Sequence, residues 1–187
     1  KKAAHIYTPL HTINAKERDN MIYKAIQGLP QAHARIKGSK EYPDIRGNVY
    51  LYEVYNGTVL LGELTGIPEE LEKKYGGFFG FHIHEGNACT GDSQDPFADT
   101  KGHYNPEKEE HPRHAGDLPP VLSNDGTAWM EIYTGRFYPM DVVGRTIVLH
   151  EMPDDFKTQP SGDSGMKIAC GEIKAWEQEC KNKNGNE

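Results

Sequence analysis

From Ala32 onward the chain alternates apolar and polar residues with a period of two, the pattern of half-buried β-strands. Ala32, Ala34 and Ile36 show this alternation first. Further strand-like runs lie at residues 48–55, 58–65, 79–85, 127–133, 146–151 and 167–173. Turns containing Gly or Pro separate these runs, and no helix of a βαβ unit lies between them. The pattern predicts an all-β antiparallel barrel or sandwich.

A hairpin is predicted at Asn56-Gly57, which lies between two of the β-rich runs. A two-residue type I′ turn requires positive φ at both central residues, and Asn-Gly is a favoured pair for it. We therefore expect the strand 48–55 to turn at Asn56-Gly57 and pair with the strand 58–65.

The two ends of the chain differ from this β-rich centre. Asn14 as N-cap, Glu17 three residues later and an apolar stripe ending at Ile26 predict a short helix. After Ala175 the chain is charged and rich in Asn and Lys, which indicates a tail. We expect three parts: an N-terminal extension (1–31), a β-barrel domain (32–174) and a C-terminal tail (175–187).

Composition narrows the class of protein. The 187 residues, 36% hydrophobic and 26% charged, suit one globular domain and include no apolar run long enough to span a bilayer. The formal net charge is −7, and the basic residues are dispersed along the chain. Nucleic acid is therefore not an expected partner, because affinity for phosphate backbones depends on clustered Lys and Arg.

The strand 79–85 carries the first candidate chemistry. Phe79, Phe81 and Ile83 point to one face, whereas His82 and His84 point to the other. Two imidazoles spaced by two on a strand can chelate one ion. Taken alone, however, such a pair is more often an ordinary surface pair than a metal site.

A polar segment rich in Gly and Pro, residues 86–120, strengthens the metal interpretation. It contains His103, His111, His114 and Asp117, three nitrogens and one oxygen that suit tetrahedral zinc. The alternative is a solvated loop that is merely rich in histidine. With His150 in GRTIVLHE, the chain has enough donors for two metal ions.

Five separated motifs, GFHIHE, GHYNP, HAGDL, GRTIVLHE followed by DD, and KIACG, together resemble the copper/zinc superoxide dismutase family in order and approximate spacing. The resemblance runs from about Ala32 to Ile173. It implies an eight-stranded antiparallel Greek-key barrel or sandwich, immunoglobulin-like, with the metals held outside the barrel by long loops.

The resemblance also implies a role for each motif residue. The implied copper ligands are His82, His84, His103 and His150, and the implied zinc ligands are His103, His111, His114 and Asp117. His103 would be an imidazolate bridging both metals. Asp154 would orient ligands of both metals, and Cys89 and Cys170 would form a disulfide.

The implied reaction is dismutation of superoxide to dioxygen and hydrogen peroxide by Cu(II)/Cu(I) cycling, with His103 carrying a proton. Lys167, in KIACG, stands where the family commonly has an arginine. Lysine keeps the charge that attracts superoxide but lacks the planar fork of donors. Lys157 is a weaker candidate for this attraction, because an ordinary surface lysine explains it better.

The cysteines bear on location. Cys89, Cys170 and Cys180 allow one pair and one spare thiol, and the role of Cys180 stays open. The chain begins with Lys1 and not Met, so we expect a removed N-terminal segment and, with the implied disulfide, an extracytoplasmic location. A cytoplasmic location stays open. Family members are often dimers, so the resemblance allows a homodimer.

Two other functions remain open from sequence. One is a non-catalytic structural relative that binds zinc but does not load copper. The other is a cupin-like enzyme with a single metal, since cupins also use His-x-His on a strand. Glu85, directly after His84, and the later His/Asp cluster argue against the cupin-like alternative.

Overall fold

An antiparallel sheet of nine strands forms most of the regular structure of residues 26–177, the part of the chain that this computed structural model describes. Within these residues, one complete α-helix, α1 (Glu69–Tyr75), accompanies the sheet. The strands are β1 (Ala32–Gly38), β2 (Arg46–Val54), β3 (Gly57–Thr65), β4 (Phe78–Phe79), β5 (Phe81–His84), β6 (Val121–Asn124), β7 (Thr127–Thr134), β8 (Thr146–His150) and β9 (Lys167–Ala175).

The sheet is nearly closed into a barrel. Its strand order is β4-β6-β7-β3-β2-β1-β9-β8-β5, so the two end strands, β4 and β5, follow each other in sequence. Gly80 joins them, and its N–H donates to the Met152 carbonyl at 2.8 Å while its own carbonyl accepts from His150 N–H at 2.8 Å. The predicted all-β antiparallel barrel is confirmed.

The structure has nine strands where eight were expected. The predicted strand 79–85 is divided at Gly80, because Phe78–Phe79 pair with β6 whereas Phe81–His84 pair with β8. Because the pairing partner changes at Gly80, one continuous segment supplies the end strand on each side of the sheet.

The core follows from the period-two pattern. Ala32, Ala34 and Ile36 of β1 are at most 1% exposed, and the inward residues of β4 and β5 are fully buried. Burying one such large apolar side chain stabilises the fold by about 1.5–3 kcal/mol. Because Phe81 and Ile83 point into the core, His82 and His84 lie on the outer side of the barrel wall.

The hairpin between β2 and β3 is present, but its turn lies one residue earlier than predicted. Val54 pairs with Gly57, so Tyr55 and Asn56 form the loop, and Tyr55 has the positive φ, 40°. Gly57 is needed for a different reason. A Cβ on Gly57 would lie 2.1 Å from the Thr134 carbonyl oxygen of β7.

The pattern analysis did not predict β6 or its hairpin with β7. Asn124 pairs with Thr127, and the two residues between them, Asp125 and Gly126, have φ of 51° and 73°. This Asp-Gly pair therefore has the positive φ at both central positions that a type I′ turn requires.

Helix α1 (Glu69–Tyr75) was also not predicted. Pro68 precedes it, its first turn is acidic, its last turn is basic, and Gly76 ends it with φ of 69°. These are ordinary helix start and stop signals, in which the charges complement the helix dipole. The helix buries Leu71 against the barrel core.

Two sequence predictions lie outside the described residues: nearly all of the helix ending at Ile26, and the tail segment with Cys180. Within residues 26–177, no helix combines the length and apolar character needed to cross a membrane.

The glycines of β3 give a test of this packing. We expect Gly57→Ala to lower the free energy of unfolding by about 1–3 kcal/mol, because the new methyl group would overlap a backbone oxygen of β7. Gly62→Ala is the control, since its methyl group would contact side chains and no backbone atom, the nearest being the flexible Met130 side chain at 3.4 Å. Urea unfolding measures the free energy of unfolding of both variants. An equal decrease in the two would contradict the explanation by overlap with the β7 backbone.

Candidate metal centre

The long segment after β5 returns to lie beside that strand. His84 forms a β-bridge with His103, and His82 forms one with Asp117. The loop therefore places two of its own side chains next to the two outward histidines of β5. Because these are backbone contacts, the spacing between the four side chains is set by sheet geometry.

Seven predicted ligand residues converge into two groups that share His103. The donor atoms within each group lie within 4.8 Å of one another. One group is His82, His84, His103 and His150, and the other is His103, His111, His114 and Asp117. The seven residues are at most 9% exposed. All the residues that the sequence proposed as ligands are therefore brought together.

Asp154 links the two groups. Its Oδ2 accepts from Nε2 of His82 at 2.8 Å, and its Oδ1 accepts from Nε2 of His111 at 3.0 Å. A carboxylate accepts only, so each imidazole keeps its proton on Nε2 and leaves Nδ1 bare. The Nδ1 atoms of both histidines are buried without a hydrogen-bond partner.

The other nitrogen donors are fixed in the same way. Nδ1 of His84 donates to the Lys101 carbonyl at 2.8 Å, and Nδ1 of His150 lies 3.4 Å from the Gly165 carbonyl. Both rings therefore keep bare Nε2 atoms, which face each other at 3.2 Å. Two bare lone pairs at that distance repel unless a cation lies between them, so this group fits a metal ion.

Asp117 organises the second group. Its Oδ1 is 2.6 Å from Nδ1 of His103, and its Oδ2 accepts from the backbone N–H of His114 at 2.9 Å. Its carboxylate oxygens also lie 3.1 Å from Nδ1 of His111 and 3.3 Å from Nδ1 of His114, without hydrogen-bond geometry. Donor atoms that are close but not hydrogen-bonded suit a shared cation.

His103 is the residue common to both groups. While its Nδ1 faces Asp117, its Nε2 is buried without a hydrogen-bond partner. The ring can therefore offer one nitrogen to each group. To bind a cation with both nitrogens it must lose its N–H proton, because a neutral imidazole has only one bare nitrogen.

Burial lowers the pKa of four histidines of the centre, His82, His84, His114 and His150. Burial, followed by neighbouring histidines, holds the pKa of His84 and of His150 well below the usual 6.5. Burial alone would raise the pKa of Asp117, but the hydrogen bond with His103, followed by electrostatic interactions with the nearby histidines, outweighs it and lowers that pKa. Neutral imidazoles beside an ionised carboxylate are the protonation states that bind cations.

Lys167 lies at the edge of this centre. It pairs with His150 in the β8–β9 register, and its Nζ donates to Asp95 Oδ2 at 2.8 Å and to the Phe97 carbonyl at 3.1 Å. Its charge also contributes to the lowered pKa of His150, after burial and two histidines. Asp95 could not be predicted as its partner from local sequence, because the pairing joins positions 72 residues apart.

A disulfide fixes the loop that holds Lys167. Cys89 and Cys170 are bonded, and both residues pack in a small apolar cluster with Phe97 and Val148. The bond joins positions 81 residues apart, and on the chain-entropy model a loop of that size stabilises by about 4–5 kcal/mol. It connects the loop bearing Asp95 and Phe97 directly to β9.

The lowered histidine pKa values predict how the metal-free protein responds to acid. Four histidines have a lowered pKa in the folded protein and regain a pKa near 6.5 in the unfolded chain: His82, His84, His114 and His150. Below that pH, the unfolded chain therefore binds more protons than the folded protein does. The free energy of unfolding should therefore be highest above about pH 6.5 and fall below it. Urea titrations with chelator present, from about pH 7.5 down to about pH 5, measure this, and a flat profile would contradict it.

Comparison with known proteins agrees with the geometry. A family model described as copper/zinc superoxide dismutase (SODC) matches residues 45–173. Superoxide dismutase Cu-Zn 2 of Aquifex aeolicus is 30% identical over 159 residues, covering 77% of this chain and 86% of the relative. Superoxide dismutase Cu-Zn 1 of the same organism is 33% identical over 143 residues, covering 68% of this chain and 79% of the relative.

A solved structure shows the same fold. The Cu/Zn superoxide dismutase from Brucella abortus superposes with a TM-score of 0.64 at 23% identity, covering 75% of this chain and 98% of that chain. The match of the family model to most of the barrel, with the two Aquifex relatives, establishes that the chain belongs to the copper/zinc superoxide dismutase family.

Proposed function

We propose that this protein converts two superoxide anions and two protons into dioxygen and hydrogen peroxide at a paired copper–zinc centre. The observation that carries the proposal is His103, whose ring belongs to both donor groups. Family membership supports the reaction class, and the buried, neutral donors support the cofactors.

The two donor groups have different compositions, and we assign the metals accordingly. We assign copper to His82, His84, His103 and His150, and zinc to His103, His111, His114 and Asp117. Imidazole suits both ions, and a carboxylate in a closed tetrahedral set favours zinc. Copper supplies one-electron redox chemistry when bound, and zinc supplies a fixed positive charge.

His103 has the geometry of a proton carrier. Asp117 holds its Nδ1 side, so the ring cannot rotate freely when its other nitrogen changes partner. Nε2 is the atom at which we place the proton that goes to the product, because it is buried and has no hydrogen-bond partner in the protein. Asp154 holds His82 and His111, whose ring centroids lie 4.1 Å and 5.7 Å from that of His103.

Lys167 is the residue that we assign to attracting the anionic substrate. The net charge of the chain is −7, so a local positive charge must draw superoxide to the site. Its ammonium group has three N–H donors, and Asp95 and the Phe97 carbonyl take two of them. The third is free to meet an anion, although the nearby carboxylate of Asp95 weakens the attraction.

The disulfide supports an oxidising, extracytoplasmic compartment as the working location. Disulfides persist there and are rare where cytosolic thiols are kept reduced. Since Cys89–Cys170 fixes the loop that holds Lys167, the proposed activity depends on a bond of this kind.

Metal analysis with electron paramagnetic resonance tests the proposed centre. We expect the wild-type protein to bind one copper and one zinc and to dismute superoxide. When both groups are loaded with Cu(II), the shared His103 ring should couple the two spins and suppress the mononuclear signal. His103→Ala should restore separate signals, because no ring would join the two groups.

The same measurement separates the alternatives. Zinc binding without copper binding would indicate a non-catalytic structural relative. One metal per chain, with a mononuclear signal that His103→Ala does not change, would indicate a cupin-like enzyme. Either result would overturn the proposed centre.

Lys167→Ala tests the attraction of substrate. We expect kcat/KM for superoxide to fall by about tenfold and to depend less on ionic strength, because a local charge that steers the anion is lost. Lys157→Ala is the matched control, since Lys157 is exposed and only its backbone N–H bonds Asp155. Unchanged rate and salt dependence in Lys167→Ala would remove Lys167 from this role.

A further inference from the structure

Arg136 makes an unusual set of contacts with the loop that carries the proposed zinc ligands. Its Nη1 lies 3.1 Å from the Pro112 carbonyl, 3.0 Å from the His114 carbonyl and 3.3 Å from the Asp117 carbonyl. Two of these three carbonyls belong to residues of the donor group that we assign to zinc.

The backbone of Arg136 is anchored to the barrel. Its N–H donates to Thr134 Oγ1 at 3.2 Å, at the end of β7. The next residue, Phe137, is 3% exposed, and its carbonyl accepts from the buried Thr58 hydroxyl at 2.8 Å. The guanidinium is therefore attached to a fixed part of the barrel.

The contacted loop has no strand of its own between β5 and β6. His111 and His114 bind a cation only if this irregular backbone is ordered, and ordering costs conformational entropy at every residue. Three carbonyls gathered around one charged donor fix the backbone before any ion arrives. A positive guanidinium repels a nearby cation, so its benefit comes from loop order and not from charge.

We propose that Arg136 is a positioning residue that preorganises the zinc-binding loop by joining it to the end of β7. The inference rests on the proposed zinc site. It goes beyond that site because Arg136 is not a ligand and acts only through backbone carbonyls. Residues that support metal ligands typically change metal affinity by about 10- to 100-fold when they are replaced.

Arg113 provides a matched control on the same loop. It lies between His111 and His114 in sequence, and its guanidinium pairs with Glu109 at 2.9 Å on the surface. Replacing either arginine by methionine removes one positive charge and keeps an aliphatic stem. Only Arg136→Met removes the contacts to ligand-residue carbonyls.

The experiment measures zinc affinity of the copper-free protein by competition with a chromophoric chelator. We expect Arg136→Met to weaken zinc binding by about 10- to 100-fold, and Arg113→Met to stay within about twofold of wild type. Arg136→Lys, which keeps the charge and N–H donors, should recover part of the affinity. Cobalt(II) in place of zinc should give an altered visible spectrum in Arg136→Met, which reports ligand geometry directly.

The outcomes are distinguishable. Wild-type zinc affinity in both Arg136 variants would overturn the inference and leave the zinc site standing. Equal weakening in Arg113→Met would also overturn it, since charge alone would then explain the effect. Wild-type protein that binds no zinc would instead remove the proposed centre, and the role of Arg136 with it. Urea unfolding of the metal-free variants gives a further check. Their free energy of unfolding should fall by less than the change in zinc-binding free energy, and a loss of stability as large as that change would count against positioning.

Discussion

The chemistry of this centre depends on where each imidazole keeps its proton. Asp154, the Lys101 carbonyl and the Gly165 carbonyl accept on the far side of the rings, so the bare nitrogens face inward. Burial makes protonation of His84 and His150 unfavourable and keeps those nitrogens bare near neutral pH. The barrel wall thus supplies donors in one protonation state and one direction, which lowers the cost of binding an ion.

Much of the fold and of the candidate centre could be predicted from the sequence. Alternation along residues 79–85 separated Phe81 and Ile83 from His82 and His84, and the structure places the two pairs on opposite faces. This prediction succeeded because successive side chains of a β-strand point to opposite faces of the sheet. The family resemblance then related the distant loop residues to β5, and the β-bridges from His84 to His103 and from His82 to Asp117 bring them there.

What the sequence did not predict depends on contacts between distant segments. The turn near Asn56 lies one residue early because Gly57 is needed against β7, and a turn motif does not report that neighbour. Asp125-Gly126 and α1 did carry local signals, which the pattern analysis overlooked. Asp95 and Arg136 carried none, since their contacts with Lys167 and with the zinc-binding loop exist only in the folded chain.

The β-bridges beside β5 also protect the barrel against self-association. β5 is the last strand of the sheet, and an end strand with free N–H and carbonyl groups is a template for pairing with another chain. Here the returning loop occupies that edge at His82 and His84. Whatever keeps the loop ordered, bound cations included, therefore also keeps the four residues of β5 buried, and loss of that order would open a sheet edge with which another chain could pair.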